Sequence, residues 1–187
     1  ATKKYYVDLL NEINKSDPNL VNTTLLGIEI GVEPYFISTH MPFNKTDGNV
    51  TITLQNREVY NMSNNNSRQG LADNATRFWI DQIAGEINRS YPNVLITSDL
   101  YSPYGGYRSG YDGVSRGTFD PRQPHRLSVT ANSTYIDYIE INLYPNSLLG
   151  NPADQIYNIT RDIESLEITS NRTGVYAGND DYLFDEG

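Results

Sequence analysis

The chain has 187 residues, a formal net charge of −9 and a pI near 4.6, with 37% hydrophobic and 11% aromatic side chains, enough apolar material for one packed core and too much for a disordered chain. An acidic surface without a Lys/Arg cluster argues against nucleic acid and anionic membranes as partners, and the lack of cysteine removes disulfides, thiolate chemistry and cysteine-ligated metals. No apolar run approaches the roughly 18 residues of a membrane span, so no membrane insertion is expected, and Ala1 reads as the processed start of an exported chain.

Tyr5, Tyr6, Leu9, Leu10 and Ile13 fall at i, i+1, i+4, i+5 and i+8, the stripe of an amphipathic helix that must stop before Pro18. Strands are expected next over 24–31, 34–39 and 49–55, with period-two alternation clearest in Val50-Thr51-Ile52-Thr53-Leu54. The polar stretch 61–67 reads as a linker. Trp79, Ile80, Ile83, Ala84 and Ile87 then repeat the first stripe ahead of Pro92, and strands are expected over 93–97, 125–131 and 134–143. The two helix ends echo each other at an offset of 74 residues: Glu12-Ile13-Asn14-Lys15-Ser16-Asp17-Pro18-Asn19 against Glu86-Ile87-Asn88-Arg89-Ser90-Tyr91-Pro92-Asn93.

This pattern predicts an α+β fold, rich in antiparallel sheet, with two amphipathic helices and a duplicated helix-plus-three-strand unit. The chain 1–187 reads as a single domain, with pseudo-repeat halves 1–60 and 74–145 and a C-terminal segment 146–187. Residues 154–168 fit a third helix or a strand, and the tail places Tyr182, Leu183 and Phe184 among acidic residues.

Eleven of the 21 asparagines stand in the acceptor pattern Asn-x-Ser/Thr: Asn14, Asn22, Asn44, Asn49, Asn61, Asn65, Asn74, Asn88, Asn132, Asn158 and Asn171. Chance placement of the hydroxyl residues gives about three, so the excess points to an extracellular or cell-surface glycoprotein whose only prosthetic matter is covalent N-linked glycan. The 43 residues between Asn88 and Asn132 hold no acceptor and contain the segment 98–113, rich in tyrosine and glycine. A sugar-free tyrosine surface suits contact with a partner, which nominates Tyr101, Tyr104, Tyr107 and Tyr111, together with Tyr182, Leu183 and Phe184 of the tail.

His40 and His125 are the only histidines, and no nucleophile elbow, phosphate loop or metal-ligand spacing is present, so no enzyme activity and no cofactor or metal are expected. Asp180, Asp181, Asp185 and Glu186 read as a solvated acidic tail rather than a calcium loop. The segment Arg77-Phe78-Trp79, followed by Leu95-Ile96-Thr97-Ser98-Asp99-Leu100-Tyr101, resembles the Cache family of extracellular sensor domains over about 25 residues. That resemblance implies a small polar ligand held by Arg77, Trp79, Asp99 and Tyr101. The sequence thus leads to a glycosylated structural protein, a filament or layer subunit that assembles with copies of itself by strand or tail exchange. Its alternative is a sensor- or lectin-like ligand-binding module, with a secreted hydrolase behind both.

Overall fold

A computed structural model describes residues 2–25, 27–32, 34–100, 122–126, 129, 132–141 and 175–176. Helix α1 (Thr2–Ser16) ends before Pro18, where Asp17 Oδ1 accepts from the backbone N–H of Asn19 (2.9 Å) and Leu20 (3.3 Å) in a side-chain-closed turn. One turn of π-helix, Leu20–Thr24, closed by Leu25 N–H to Leu20 O at 2.6 Å, leads into β1 (Gly27–Glu29). Strands β2 (Tyr35–Ile37), β3 (Thr51–Thr53) and β4 (Val59–Asn61) precede the long helix α2 (Asn65–Ser90). Then come β5 (Leu95–Thr97), β6 (Asp99–Leu100), β7 (Arg122–Pro124), β8 (Ile139–Ile141) and β9 (Val175–Tyr176).

Helix and strand are mixed, but the expected wealth of antiparallel sheet is not what forms. β1 pairs with β5 in parallel, Glu29 opposite Thr97; β6 pairs with β8 in parallel, Asp99 opposite Glu140; and β8 pairs with β9 in parallel. Ile30 N–H to Thr97 O (2.9 Å) and Asp99 N–H to Gly31 O (3.2 Å) carry the β1 ladder past Ser98 onto β6. The parallel strands therefore run side by side in the order β1, β5 with β6, β8, β9. Among the described residues, antiparallel pairing is found in β2 with β7 and in the β3–β4 hairpin. The physical reason is the crossover: a helix that returns the chain along the sheet lets the next strand enter in the same sense as the last.

Each of the echoed helices is followed by a strand of the parallel pair, α1 by β1 and α2 by β5. Three element boundaries also move. The linker 61–67 is split between β4 and the start of α2, because Asn64 caps the helix by accepting from Ser67 N–H at 3.0 Å while Ser67 Oγ accepts from Asn61 N–H at 2.7 Å. Of the strand expected at 125–131, the described residues His125, Arg126 and Val129 are not extended in a sheet and β7 lies at Arg122–Pro124, and of that expected at 134–143, the described residues before Ile139 are not strand and Ile139–Ile141 are.

The main core lies between α2 and the sheet, where Ile80, Ile83, Ala84 and Ile87 meet Ile30, Ile96 and Ile136, with Leu10 reaching in from α1. Gly31 is required here: a Cβ on it would come within 2.5 Å of the Trp79 ring. A second cluster joins Phe43, Tyr60, Met62, Leu71 and Ala72 beneath the hairpin, with Phe36 and Phe43 rings 4.9 Å apart. Of the α1 stripe only Leu10 is buried; Tyr5 and Leu9 stay exposed, since α2 alone covers most of the sheet. Ile83→Ala should therefore cost about 3 kcal/mol in urea unfolding, whereas Leu9→Ala on the same helical layer should cost less than about 1 kcal/mol.

Candidate functional site

Side chains of a strand alternate between faces, and partners directly opposite in a parallel register share one. Ile28, Ile30 and Ile96 pack with the helices, so Glu29, Thr97, Asp99 and Glu140 stand on the far face, at the carboxyl ends of β1 and β5, the start of β6 and the middle of β8. That face is not wet: Thr97 and Asp99 are buried and Glu29 and Glu140 half-buried. The Thr97 hydroxyl donates to the Tyr138 carbonyl at 3.0 Å, and Ile96 N–H donates to Asp137 Oδ2 at 2.8 Å, which ties the chain before β8 to β5.

The electrostatics follow from crowding acids in poor solvent. Burial pushes the Glu140 carboxyl above the usual carboxylate range. The Tyr138 phenol is raised by burial and then by Glu140, Glu29 and Asp137, and the Tyr6 phenol by burial, then Tyr5 and Glu29. Tyr6 is also anchored, its hydroxyl donating to the Ile30 carbonyl at 2.9 Å. Glu29 thus acts on both phenols, and Glu140 acts on Tyr138. The arrangement offers donors and acceptors for a polar ligand, and one carboxyl biased toward its protonated form.

A second polar knot fixes β7 to α2. Asp73, buried on α2, accepts from Gln69 Nε2 (3.0 Å), from the Arg126 N–H (2.8 Å) and from Arg126 Nε (2.6 Å). His125 beside it is fully buried; burial holds its imidazole down to about 4, with Asp73 and a hydrogen bond to the Pro34 backbone opposing. Asp81, one helical stretch further on, accepts from the Ser133 hydroxyl and from Thr134 N–H (3.1 Å), pinning the loop that carries Asn132.

Of the acceptor asparagines, Asn22, Asn44, Asn49, Asn61, Asn65 and Asn132 are exposed, Asn14, Asn74 and Asn88 are half-buried, and Asn158 and Asn171 lie outside the described residues. At Asn61 the Ser63 hydroxyl and N–H both donate to Oδ1, at 2.7 and 2.9 Å. At Asn74 the side-chain nitrogen is engaged by Glu58 Oε2 (2.8 Å) and by the Tyr60 hydroxyl. Tyr101, Tyr104, Tyr107, Tyr111, Tyr182, Leu183 and Phe184 lie outside the described residues, as does the acidic tail.

Of the residues implied by the Cache resemblance, three are described and Tyr101 is not. Arg77 is exposed and pairs with Asp81 at 3.6 Å, Trp79 packs against Gly31, Asp99 is buried on the far face, and Tyr101 lies outside the described residues. Sequence reading missed Glu29, Thr97, Tyr138 and Glu140; the alternation in 135–143 exposed the polar register of Glu140 but not which face would be enclosed.

No protein family and no curated protein matches the chain. Among solved structures, the endo-β-1,4-mannanase of Thermotoga petrophila is similar at 16% identity and a TM-score of 0.43, over 59% of this chain and 25% of that one. The chain thus spans about a quarter of that protein's length, and a likeness of this degree assigns no activity.

The His125 environment sets a pH dependence. Its folded pKa lies below the ordinary 6.5, so between pH 6.5 and about 4 the unfolded chain holds a proton that the folded chain does not. Stability therefore falls as pH drops through that window, by roughly 3 kcal/mol once complete. Urea unfolding at a series of pH values should show this slope, and His125→Gln should flatten it.

Proposed function

We propose that the chain is an extracellular, N-glycosylated protein that binds a small polar ligand at the carboxyl ends of its parallel strands. The observation that carries the reading is the enclosed face bearing Glu29, Thr97, Asp99 and Glu140, polar groups held out of water on adjacent strands. Parallel sheets normally have apolar side chains on both faces, so carboxylates there work against stability and mark a site. Ligands of parallel sheets sit beyond the carboxyl ends of the strands, and Glu29 and Thr97 close β1 and β5 at that end. The exported, glycosylated character is supported by the count of acceptor motifs and by the fact that none of the nine described acceptors is buried.

The filament reading depends on segments 98–113 and 179–187, which lie almost wholly outside the described residues. A second reading at the same site is hydrolysis. It is favoured by the bias of Glu140 toward the neutral acid beside Asp99 and Glu29, since a proton donor paired with a carboxylate is what general acid–base chemistry needs.

Because the folded Glu140 pKa is raised, its carboxyl favours folding at low pH, and that contribution is lost as pH rises through the folded pKa. Glu140→Gln should accordingly raise the unfolding midpoint at pH 7 and leave it nearly unchanged at pH 4. Thermal-shift screening at pH 7 with monosaccharides, amino acids and dicarboxylates should find a stabilising ligand for the parent chain that loses its effect in Glu140→Gln. Equal shifts in both proteins, or none across the panel, would remove the site from consideration. Turnover of chromogenic glycoside or ester probes, abolished in Glu140→Gln while binding persists, would select hydrolysis.

A further inference from the structure

We propose that the glycan on Asn14 seats in the cleft between the ends of the two echoed helices and pins α1 against the end of α2; this rests on the chain being N-glycosylated. The cleft is open to solvent and has a volume of about 200 Å³. Asn14, Val21 and Asn22 contribute to it from α1 and the π-turn, and Tyr91, Pro92 and Val94 from the segment after α2. Two of the acceptor asparagines thus line one small concavity.

The two are not equivalent. Asn22 is exposed and its Nδ2 donates to the Pro18 carbonyl at 2.7 Å. Asn14 is half-buried in the last turn of α1, and its side-chain amide makes no hydrogen bond among the described residues. A sugar joined there starts inside the cleft. In the transfer, Asn14 Nδ2 bonds to C1 of a glycosyl group carried on a lipid diphosphate, the C1–O bond to the diphosphate breaks, and the displaced amide proton leaves with the diphosphate. The product amide keeps one N–H.

The cleft fits that occupant. Tyr91 is held across the helices by its hydroxyl, which donates to Asn11 Oδ1 at 2.6 Å, and with Pro92 it offers a flat apolar surface for the C–H face of a pyranose. The hydroxyl of Ser90 and the amide of Asn93, both exposed in the same cleft, suit the polar edge of the ring. The helix has little burial of its own to hold it. Only Leu10 of α1 is buried, and its ion pairs, Lys4 with Asp8 and Lys15 with Glu12, are exposed and weak.

The test uses the full chain made in a host that N-glycosylates, with site occupancy read by mass spectrometry and stability by thermal unfolding. Asn14 should be occupied, and Asn14→Gln should lower the midpoint by about 2–4 °C, while Asn44→Gln at an exposed turn leaves it unchanged. In the Tyr91→Ala background the effect of Asn14→Gln should vanish, as a double-mutant cycle requires of two groups in contact. Should Tyr91→Ala fail to fold, amide exchange over residues 9–16 decides: about tenfold faster after enzymatic deglycosylation supports the proposal, and no change overturns it. An occupied Asn14 without a midpoint shift, or an empty Asn14 beside occupied sites elsewhere, overturns the docking while leaving the glycoprotein reading intact. No occupancy at any of the eleven sites overturns both.

Discussion

The parallel pairing of β1 with β5 is the constraint on which the other features depend. Its ladder sets Gly27, Ile28 and Glu29 against Leu95, Ile96 and Thr97, which fixes the face of the paired side chains on these two strands. A shift of one residue would turn Ile28, Ile30 and Ile96 away from α2 and expose the face that the core needs. Hydrophobic burial under α2 therefore selects the register, and the register in turn forces the acids to the far side. The polar site is the geometrical complement of the core.

That arrangement has an energetic cost that the protein meets locally. Asp99 and Thr97 are taken out of water, and Glu140 is displaced toward its neutral form. The Thr97 hydroxyl and Asp137 satisfy neighbouring backbone groups, and the Tyr138 and Tyr6 phenols stand among the carboxylates as neutral groups rather than as further charges. On the outer layers polar chemistry serves attachment instead. Asp73 holds β7 through Arg126 and Asp81 holds the 132–134 loop, so one helix presents an apolar stripe to the sheet and two carboxylates to the segments that follow it.

Stability is distributed unevenly along the same logic. α2 buries a continuous row from Leu71 to Ile87, whereas α1 contributes Leu10 and leaves Tyr5 and Leu9 exposed. An element with so little burial is where an added contact matters most, and the acceptor asparagine whose sugar would supply one lies at its end, facing the cleft below Tyr91.

Sequence alone determined the two amphipathic helices and their stops ahead of Pro18 and Pro92, because each depends on periodicity and proline sterics within a few turns of chain. It likewise set out the acceptor asparagines, which are a property of three consecutive residues. Strand direction was not legible: three-residue strands such as Gly27–Glu29 and Leu95–Thr97 carry the same side-chain pattern whether their neighbour runs with or against them, and only the crossover through α2 decides it. The candidate site was hidden for the same reason. Glu29, Asp99 and Glu140 are far apart in the chain, each reads as the polar half of an ordinary strand, and only tertiary pairing brings them onto one face and takes that face out of water.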